Sequence, residues 1–275
     1  MPSDRLSRPP LPQDEQAAIV APADALAETA RRAVLPHFRN PALGADNKAA
    51  RGYDPVTEAD RAAETAMRAH LARARPRDAI LGEEFGEVAG ESGLTWMLDP
   101  IDGTRAFIVG APTWGVLIAL CDAGGPVYGV IDQPYTGERF AGGFGAARMT
   151  GPAGARTLAT RATRSLDEAI LLTTFPEIGS ADERAGFADV AAQVRLVRYG
   201  LDCYAYALLA AGHVDLVIEA GLAPYDIAAP IAVIEAAGGC VTDWRGGPAH
   251  GGGRVLAAAN ADVHAAALHI LARVP

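Results

Sequence analysis

The pattern of apolar positions in the first half of the chain predicts two helices followed by strands. Apolar residues recur at helical spacing over residues 16–38, and again through Met67 and Leu71. The second helix must end before Pro76, because proline cannot continue a helix. Short apolar runs separated by turn residues then predict neighbouring strands of a twisted sheet, at residues 79–81, 96–98, 116–120 and 127–131.

In the second half, strand-like and helix-like segments alternate, which is typical of an α/β layer. The predicted strands cover residues 169–173, 194–198 and 214–219, and the predicted helices cover residues 182–193, 203–211 and 227–237. A stretch rich in glycine, proline and threonine at residues 142–160 predicts the boundary between the halves. We therefore expect a flexible tail over residues 1–13, an N-terminal half over residues 14–150 and a C-terminal half over residues 151–275.

Composition makes an ordinary globular protein the expectation. The chain has 275 residues, of which 50% are apolar, and this is enough for a sizeable core. A net charge of −9 argues against a surface for nucleic acid or for an anionic membrane. The three cysteines are far apart, the histidines lack zinc-ligand spacing, and no apolar run is long enough to cross a bilayer. We expect a cytoplasmic protein with reduced cysteines.

The candidate chemistry begins where two predicted strands end. Glu83 follows the first strand, and the second leads into Asp99-Pro-Ile-Asp102-Gly-Thr104. Each group also has a simpler interpretation, because paired glutamates are common on solvated loops and aspartates around a proline are typical of a type I turn. However, two carboxylates at a strand end suit a hard cation, and the backbone N–H groups after Gly103 suit an anion. The pattern therefore indicates a cation with a phosphate above it.

Further carboxylates stand near predicted helix starts. Thr57 and Asp60 have the spacing of a capping box, in which the two residues exchange hydrogen bonds at the helix start. Asp226 precedes an apolar helix and is predicted to be its N-cap, a position compatible with metal binding. Asp202 is either the N-cap of the helix that begins at Cys203 or a residue of the binding site.

Four motifs occur in one order along the chain from about Lys48 to Asp243. They are Asp54-Pro-Val-Thr-Glu-Ala-Asp60, Gly82-Glu-Glu84, Trp96-Met-Leu-Asp-Pro-Ile-Asp-Gly-Thr104, and Tyr225-Asp-Ile-Ala-Ala-Pro230 followed by Ala237-Gly-Gly239. In this order and spacing they resemble the inositol monophosphatase family. The resemblance implies an α/β fold, a layered α-β-α-β-α sandwich whose N-terminal half has a mainly antiparallel sheet. It also implies a magnesium-dependent phosphatase for small phosphate esters, and homodimers are common in the family.

The resemblance implies a role for each matching residue. Asp60 and Thr104 would orient and deprotonate a metal-bound water, and Glu83 would share in catalysis. The backbone N–H groups of Gly103 and Thr104 would donate to the phosphate. Lys48 and Arg105 are further candidates for contact with the phosphate, although Arg105 is also interpretable as a surface residue. Two or three magnesium ions would be held by Glu83, Asp99, Asp102, Asp226 and the main-chain carbonyl of Ile101.

Two local features resemble the histidinol-phosphate phosphatase branch of the family. They are the segment of residues 103–120 and the sequence Asp202-Cys-Tyr-Ala-Tyr206. L-Histidinol phosphate carries a cationic amine and an imidazole, which an acidic wall can bind, and Asp202 and Glu219 are the candidates for that wall. An inositol-1-phosphate phosphatase is the alternative enzyme. A regulatory partner protein, with vestigial or additional phosphatase activity, is the alternative from another class.

Overall fold

The computed structural model of the protein describes residues 12–47 and 55–275. The helices are α1 (Gln13–Val34), α2 (Glu58–Ala74), α3 (Thr104–Val109), α4 (Ala181–Ala191), α5 (Asp202–Ala210), α6 (Pro224–Ala236) and α7 (Ala261–Leu271). The strands before residue 160 are β1 (Ala45–Asn47), β2 (Pro55–Thr57), β3 (Ala79–Gly82), β4 (Gly86–Val88), β5 (Thr95–Asp102), β6 (Gly115–Asp122), β7 (Gly125–Gln133), β8 (Glu138–Gly143), β9 (Ala146–Gly151) and β10 (Gly154–Thr157). The later strands are β11 (Ile170–Thr173), β12 (Leu196–Tyr199), β13 (Leu216–Leu222), β14 (Cys240–Thr242) and β15 (Gly253–Ala258).

The start of α2 confirms the predicted capping box. The Thr57 N–H donates to Asp60 Oδ2 over 2.8 Å, and the Ala59 N–H donates to Thr57 Oγ1 over 3.1 Å. The apolar face of the helix repeats every four residues, so that one stripe of side chains is buried: Ala59, Ala63, Met67 and Leu71. This stripe packs against α1 and the first sheet. The helix begins at the cap because its first N–H groups find side-chain acceptors there.

The N-terminal helix differs slightly from its prediction. α1 begins at Gln13, within the predicted tail, while residues 1–11 lie outside the described part of the chain. It ends at Val34 rather than near residue 38, and hydrogen-bonded turns continue to Phe38. Arg39 then has φ of 59°, a left-handed conformation that no helix can continue.

The first large sheet has eight strands in the order β10-β9-β8-β7-β6-β5-β3-β4. Every pairing is antiparallel except that of β3 with β5, which confirms the prediction of a mainly antiparallel sheet. The parallel pair brings the ends of β3 and β5 to the same edge of the sheet, and both predicted carboxylate motifs follow these two strands. β1 and β2 form a separate two-stranded sheet.

The second sheet has five strands in the order β12-β11-β13-β15-β14. β11 lies parallel to β12 and β13, and β15 lies antiparallel to β13 and β14. Three buried clusters separate the layers: α1 and α2 pack on the first sheet, α5 and α6 lie between the sheets, and α4 and α7 cover the second sheet. The predicted α-β-α-β-α order is therefore confirmed.

The central helix α6 lies unusually close to the first sheet. A Cβ at Gly129 would stand 2.5 Å from Ala229 O, and a Cβ at Gly142 would stand 2.6 Å from Val233 Cα. Both strand positions therefore require glycine, because any side chain would push the helix away. This contact joins the second half of the chain directly to the first sheet.

The stretch of residues 142–160, where the boundary between the halves is predicted, contains the last two strands of the first sheet. β9 and β10 occupy this stretch and extend the first sheet to Thr157, and the second sheet begins at Ile170. The glycines that suggested a linker instead form the hairpin turns, where Gly145 has φ of 78° and Gly154 has φ of 100°. Among the described helices, none has both the length and the apolar character that a bilayer span requires.

Candidate metal and substrate site

Three aspartates from two distant parts of the chain meet at the edge of the first sheet. Asp99 and Asp102 stand at the end of β5, and Asp226 lies in the first turn of α6. One carboxylate oxygen from each lies within 4.8 Å of the others. The pairing of β5 with β6 shifts register between Asp99 and Asp102, so the strand bends where the two carboxylates are presented.

Each of these carboxylates is fixed by a backbone N–H. The Ile101 N–H donates to Asp99 Oδ1 over 3.0 Å, the Cys203 N–H to Asp102 Oδ2 over 2.6 Å, and the Ala223 N–H to Asp226 Oδ2 over 2.7 Å. The chain then turns through Gly103, which has φ of 84°. Backbone donors therefore hold three carboxyl groups in one place without the help of flexible side chains.

Mutual repulsion in this cluster is visible in the pKa values of its members. Burial raises the pKa of Asp99 well above its usual value, and the charges of Glu83, Asp102 and Asp226 raise it further. The pKa of Asp102 is also raised well above its usual value, by burial and then by Asp226 and Asp202. Close carboxylates that resist ionisation together suit a divalent cation with oxygen ligands, so the donor set fits magnesium.

Glu83 and Asp60 lie beside this cluster. The Glu83 N–H donates to Leu98 O over 3.1 Å, which places the residue next to β5, and its side chain shares a hydrogen bond with Asp99. Asp60 Oδ2 accepts from the Thr57 hydroxyl over 2.6 Å, while its Oδ1 is buried without a partner in the described part of the chain. Burial raises the pKa of Asp60, and the charge of Glu83 adds to the rise.

The turn after the cluster contains the other predicted reactive groups. Ile101 O accepts a hydrogen bond from the Thr104 hydroxyl over 3.1 Å, and Gly103 is the N-cap of α3. Arg105 extends away from this turn, with its guanidinium carbon 4.8 Å from the centre of the Phe175 ring. The remaining predicted phosphate contact, Lys48, lies outside the described residues.

The prediction that Asp226 is the N-cap of α6 was wrong, and of the two interpretations of Asp202 the structure excludes the N-cap. α6 has Ala223 as its N-cap, and Asp226 is the third residue of the helix, from which its carboxylate reaches back to the Ala223 N–H. α5 has Leu201 as its N-cap, and Asp202 is its first residue, with φ of 45°. The Cys203 N–H, at the start of α5, donates to Asp102 of the first sheet.

A cavity of about 240 Å³ lies beside the cluster. Asp102 and Asp226 of the cluster contribute to its wall, and so do Asp202 and Glu219. Its lining consists of Asp102, Thr174, Phe175, Asp202, Cys203, Tyr206, Glu219, Ala220, Gly221, Leu222 and Asp226. The two residues predicted for an acidic wall therefore share one cavity with two of the predicted metal ligands.

Both residues of the acidic wall have raised pKa values. Burial raises the pKa of Glu219 to about 7, although its Oε1 accepts from the Thr174 N–H over 2.6 Å. Burial also raises the pKa of Asp202 to about 6, while a hydrogen bond from Thr113 and the charge of Arg105 act in the opposite direction. A cation that entered this cavity would favour the ionised form of both groups.

Sequence reasoning assigned no role to Tyr206, which also lines the cavity. The residue lies four positions after Asp202, and residues at this spacing share one face of a helix. With Asp202 already a candidate for the binding site, this spacing was the signal that could have predicted Tyr206 as a second residue of the cavity.

The layered fold, with carboxylates converging between the two sheets, defines a class of phosphatases that act on phosphate esters of small molecules. Residues 15–274 match the family model described as the inositol monophosphatase family. The chain belongs to this family.

Relatives of known name agree on the class and differ in substrate. A bifunctional phosphatase of Arabidopsis thaliana, IMPL2, chloroplastic, is 41% identical over 90% of this chain and 73% of its own length. A histidinol-phosphatase of Streptomyces coelicolor is 38% identical over 88% of this chain and 92% of its own. The solved structure of an inositol monophosphatase from Zymomonas mobilis superposes with a TM-score of 0.83 at 39% identity, covering 95% of this chain and all of that one.

Proposed function

We propose that the protein is a magnesium-dependent phosphatase that hydrolyses L-histidinol phosphate to L-histidinol and phosphate. The observation that carries the choice of substrate is the acidic wall formed by Asp202 and Glu219 in the cavity beside the aspartate cluster. L-Histidinol phosphate carries a cationic amine three bonds from its ester oxygen, so a cavity lined by both the aspartate cluster and the acidic wall could take the phosphate and the amine together. Two carboxylates facing a cation provide both attraction and hydrogen-bond acceptors.

The magnesium ions would be held by Glu83, Asp99, Asp102, Asp226 and the carbonyl of Ile101. When bound, such ions supply positive charge that offsets the negative charge of the phosphoryl oxygens and of the leaving group. The protein's part is to fix the ligands beforehand, which the backbone N–H donors to the three aspartates do. This preorganisation lowers the cost of reaching the reactive arrangement.

Asp60 and Thr104 are the groups proposed to manage the attacking water. The Thr104 hydroxyl donates a hydrogen bond to Ile101 O, so its oxygen lone pairs can accept a hydrogen bond from the water and orient it. Asp60 has an unpartnered buried oxygen in the described part of the chain and a raised pKa, which makes it a stronger base than an exposed aspartate. The water oxygen forms a bond to phosphorus as the ester P–O bond breaks, and the released proton ends on the alcohol.

The amides after the aspartates are proposed to bind the phosphate. The N–H groups of Gly103 and Thr104 stand at the start of α3, where backbone donors have no partners within the helix. The left-handed conformation of Gly103 turns the chain at this point. These donors would orient the phosphate beside the aspartate cluster without the entropy cost of ordering a side chain.

The second candidate substrate is an inositol monophosphate. The similarity to the inositol monophosphatase from Zymomonas mobilis, at 39% identity, is as high as that to the histidinol-phosphatase from Streptomyces coelicolor, at 38%. Carboxylates can also accept hydrogen bonds from the hydroxyls of a sugar-like ring. The two candidates differ in charge, because only L-histidinol phosphate presents a cation to the acidic wall.

The first experiment measures phosphate release from L-histidinol phosphate and from inositol 1-phosphate, with magnesium and then with a chelator. We expect magnesium-dependent hydrolysis with a preference for L-histidinol phosphate. Asp202→Asn should reduce kcat/KM for L-histidinol phosphate by about tenfold or more, because a charged hydrogen bond is lost, and should affect the inositol ester less. Asp182→Asn, an exposed change on α4, is the matched control and should affect neither.

Three results would overturn parts of this proposal. A wild-type preference for inositol 1-phosphate would refute the substrate while leaving the metal mechanism in place. An equal effect of Asp202→Asn on both esters would refute the role of the acidic wall. Undiminished hydrolysis in the presence of chelator would refute the role of magnesium.

A further inference from the structure

The hydroxyl of Tyr206 is a buried polar group that the reaction described above does not use. Tyr206 is 4% exposed, and its hydroxyl has no hydrogen-bond partner among the described residues. A buried hydroxyl that has lost water without gaining another partner destabilises the folded protein. Native proteins keep few such groups, so each one requires a specific explanation.

The position of Tyr206 connects this hydroxyl with the substrate cavity. Tyr206 contributes to the wall of the 240 Å³ cavity together with Asp202 and Glu219. α5 is held at its start by the hydrogen bond from the Cys203 N–H to Asp102, so the helix and the aspartate cluster are placed relative to one another. Tyr206 therefore lines the same cavity as the acidic wall, and its hydroxyl interacts with the charges of Glu219, Asp102 and Asp226.

The charges around Tyr206 determine which role its hydroxyl can take. Burial raises the pKa of Tyr206 well above its usual value, and the carboxylates of Glu219, Asp102 and Asp226 raise it further. The hydroxyl accordingly keeps its proton and can donate it in a hydrogen bond. Ionised carboxylates only accept, so the cavity offers acceptors on its acidic wall and a donor at Tyr206.

We propose that Tyr206 determines specificity by donating a hydrogen bond to an acceptor atom of the substrate's leaving group. Glu219 would accept a hydrogen bond from a donor atom of the same group. The neutral imidazole of L-histidinol has this chemistry, because one ring nitrogen accepts and the other donates. Ring hydroxyls of an inositol ester also have it, whereas a plain hydrocarbon ring does not. The inference rests on the proposed phosphatase activity and selects polar over apolar leaving groups.

The test compares Tyr206→Phe with Tyr204→Phe. Both changes remove one phenol oxygen from α5. The Tyr204 hydroxyl, however, donates to Glu138, and Tyr204 is not among the residues that line the cavity. The substrates are L-histidinol phosphate, inositol 1-phosphate and phenyl phosphate, whose leaving group has neither ring nitrogens nor extra hydroxyls. We expect Tyr206→Phe to lower kcat/KM about 3–10-fold on whichever polar ester the wild type prefers, which is the effect of one lost hydrogen bond. Phenyl phosphate should change by less than about twofold.

Thermal unfolding of the metal-free, ligand-free protein gives a second reading that needs no substrate. Tyr206→Phe should leave the Tm unchanged or raise it, because no protein partner loses a hydrogen bond. Tyr204→Phe should lower the Tm and affect all three esters alike. A lower Tm for Tyr206→Phe would overturn the proposal, since the hydroxyl would then have a structural partner.

The kinetic outcomes separate this proposal from the proposed function. An equal loss on polar and phenyl esters, or no loss on either, would overturn the role of Tyr206 while wild-type hydrolysis stands. Wild-type preference for inositol 1-phosphate would refute the histidinol substrate, and the Tyr206 comparison would then be made on the inositol ester. Absence of hydrolysis of every ester would overturn both.

Discussion

Replacing Glu219 by glutamine should stabilise the metal-free protein at high pH and have little effect at low pH. Glu219 is 8% exposed, and its Oε1 accepts a hydrogen bond from the Thr174 N–H. Glutamine can keep this acceptor because its side chain also ends in a carbonyl oxygen. The substitution therefore removes an ionisable group from a buried position with little change of shape.

The magnitude follows from the pKa of the carboxyl group. Burial raises the pKa of Glu219 from the ordinary value of 4.5 to about 7 in the folded protein. Below pH 4.5 the group is neutral in both states, and its contribution to stability is fully present. As the pH rises to 7, the unfolded state loses its proton first, and this contribution is lost. At about 1.4 kcal/mol per pKa unit, the loss is about 3 kcal/mol, which corresponds to a Tm difference of about 6–12 °C.

The assay is urea unfolding of wild type and Glu219→Gln in the presence of a chelator, at about pH 4.5 and about pH 8. The difference between the two proteins cancels the pH dependence of all other groups, so the gain should be larger at high pH by about 3 kcal/mol. Glu183→Gln is a control of opposite sign. The Ser180 N–H and Arg254 lower the pKa of Glu183, so glutamine there should lose stability at high pH. An equal effect of Glu219→Gln at both pH values would refute the reasoning.

Three further substitutions test the site and its support. Asp102→Asn should raise the urea midpoint of the metal-free protein at neutral pH, because burial and neighbouring carboxylates raise the pKa of Asp102, yet it should lower phosphate release by about 100-fold or more. Gly103→Ala should lower phosphate release about tenfold or more, because its Cβ would stand 2.7 Å from Asp202 Cγ; Gly145→Ala is the matched control, with a similar φ of 78° and open space around it. Asp132→Ala should lower the free energy of unfolding in urea by about 3–5 kcal/mol, because Arg31 and Arg139 would each lose the buried carboxylate with which they form an ion pair.

Local signals in the sequence were sufficient where the interactions are themselves local. The capping box of Thr57 and Asp60 and the four-residue repeat of apolar side chains predicted α2 to within a few residues. The rest of the architecture was predicted from the family resemblance. Its motifs at the ends of β3 and β5 can form one site only if these two strands are neighbours. The structure pairs them in parallel and brings Glu83 to Asp99, 16 positions apart in the chain.

The sequence was least informative where the deciding contact is made by a residue far away in the chain. Asp202 has the sequence context of an N-cap, but Leu201 takes that position, and the Cys203 N–H at the helix start donates to Asp102, 101 positions earlier in the chain. Residues 142–160 are predicted to hold the boundary between the halves, and β9 and β10, which lie in this stretch, add to the first sheet by backbone pairing that side-chain patterns do not report. α7 was missed altogether, although Asn260 accepts from the N–H groups of Asp262 and Val263 and marks its start.

The close packing of buried carboxylates, which suits this site to a cation, also predicts how aspartate variants should differ in stability. Burial raises the pKa values of Asp99 and Asp102, and the neighbouring carboxylates raise them further, so neutralising either residue should stabilise the metal-free protein. Burial raises the pKa of Asp132 as well, but this carboxylate accepts hydrogen bonds from Arg31 and Arg139, so removing its side chain should destabilise the fold by leaving two partly buried cations without their partner. Stability without metal and phosphate release with magnesium should therefore vary in opposite directions across aspartate variants of the cluster. A positive correlation between the two would show that these carboxylates support the fold rather than a bound cation.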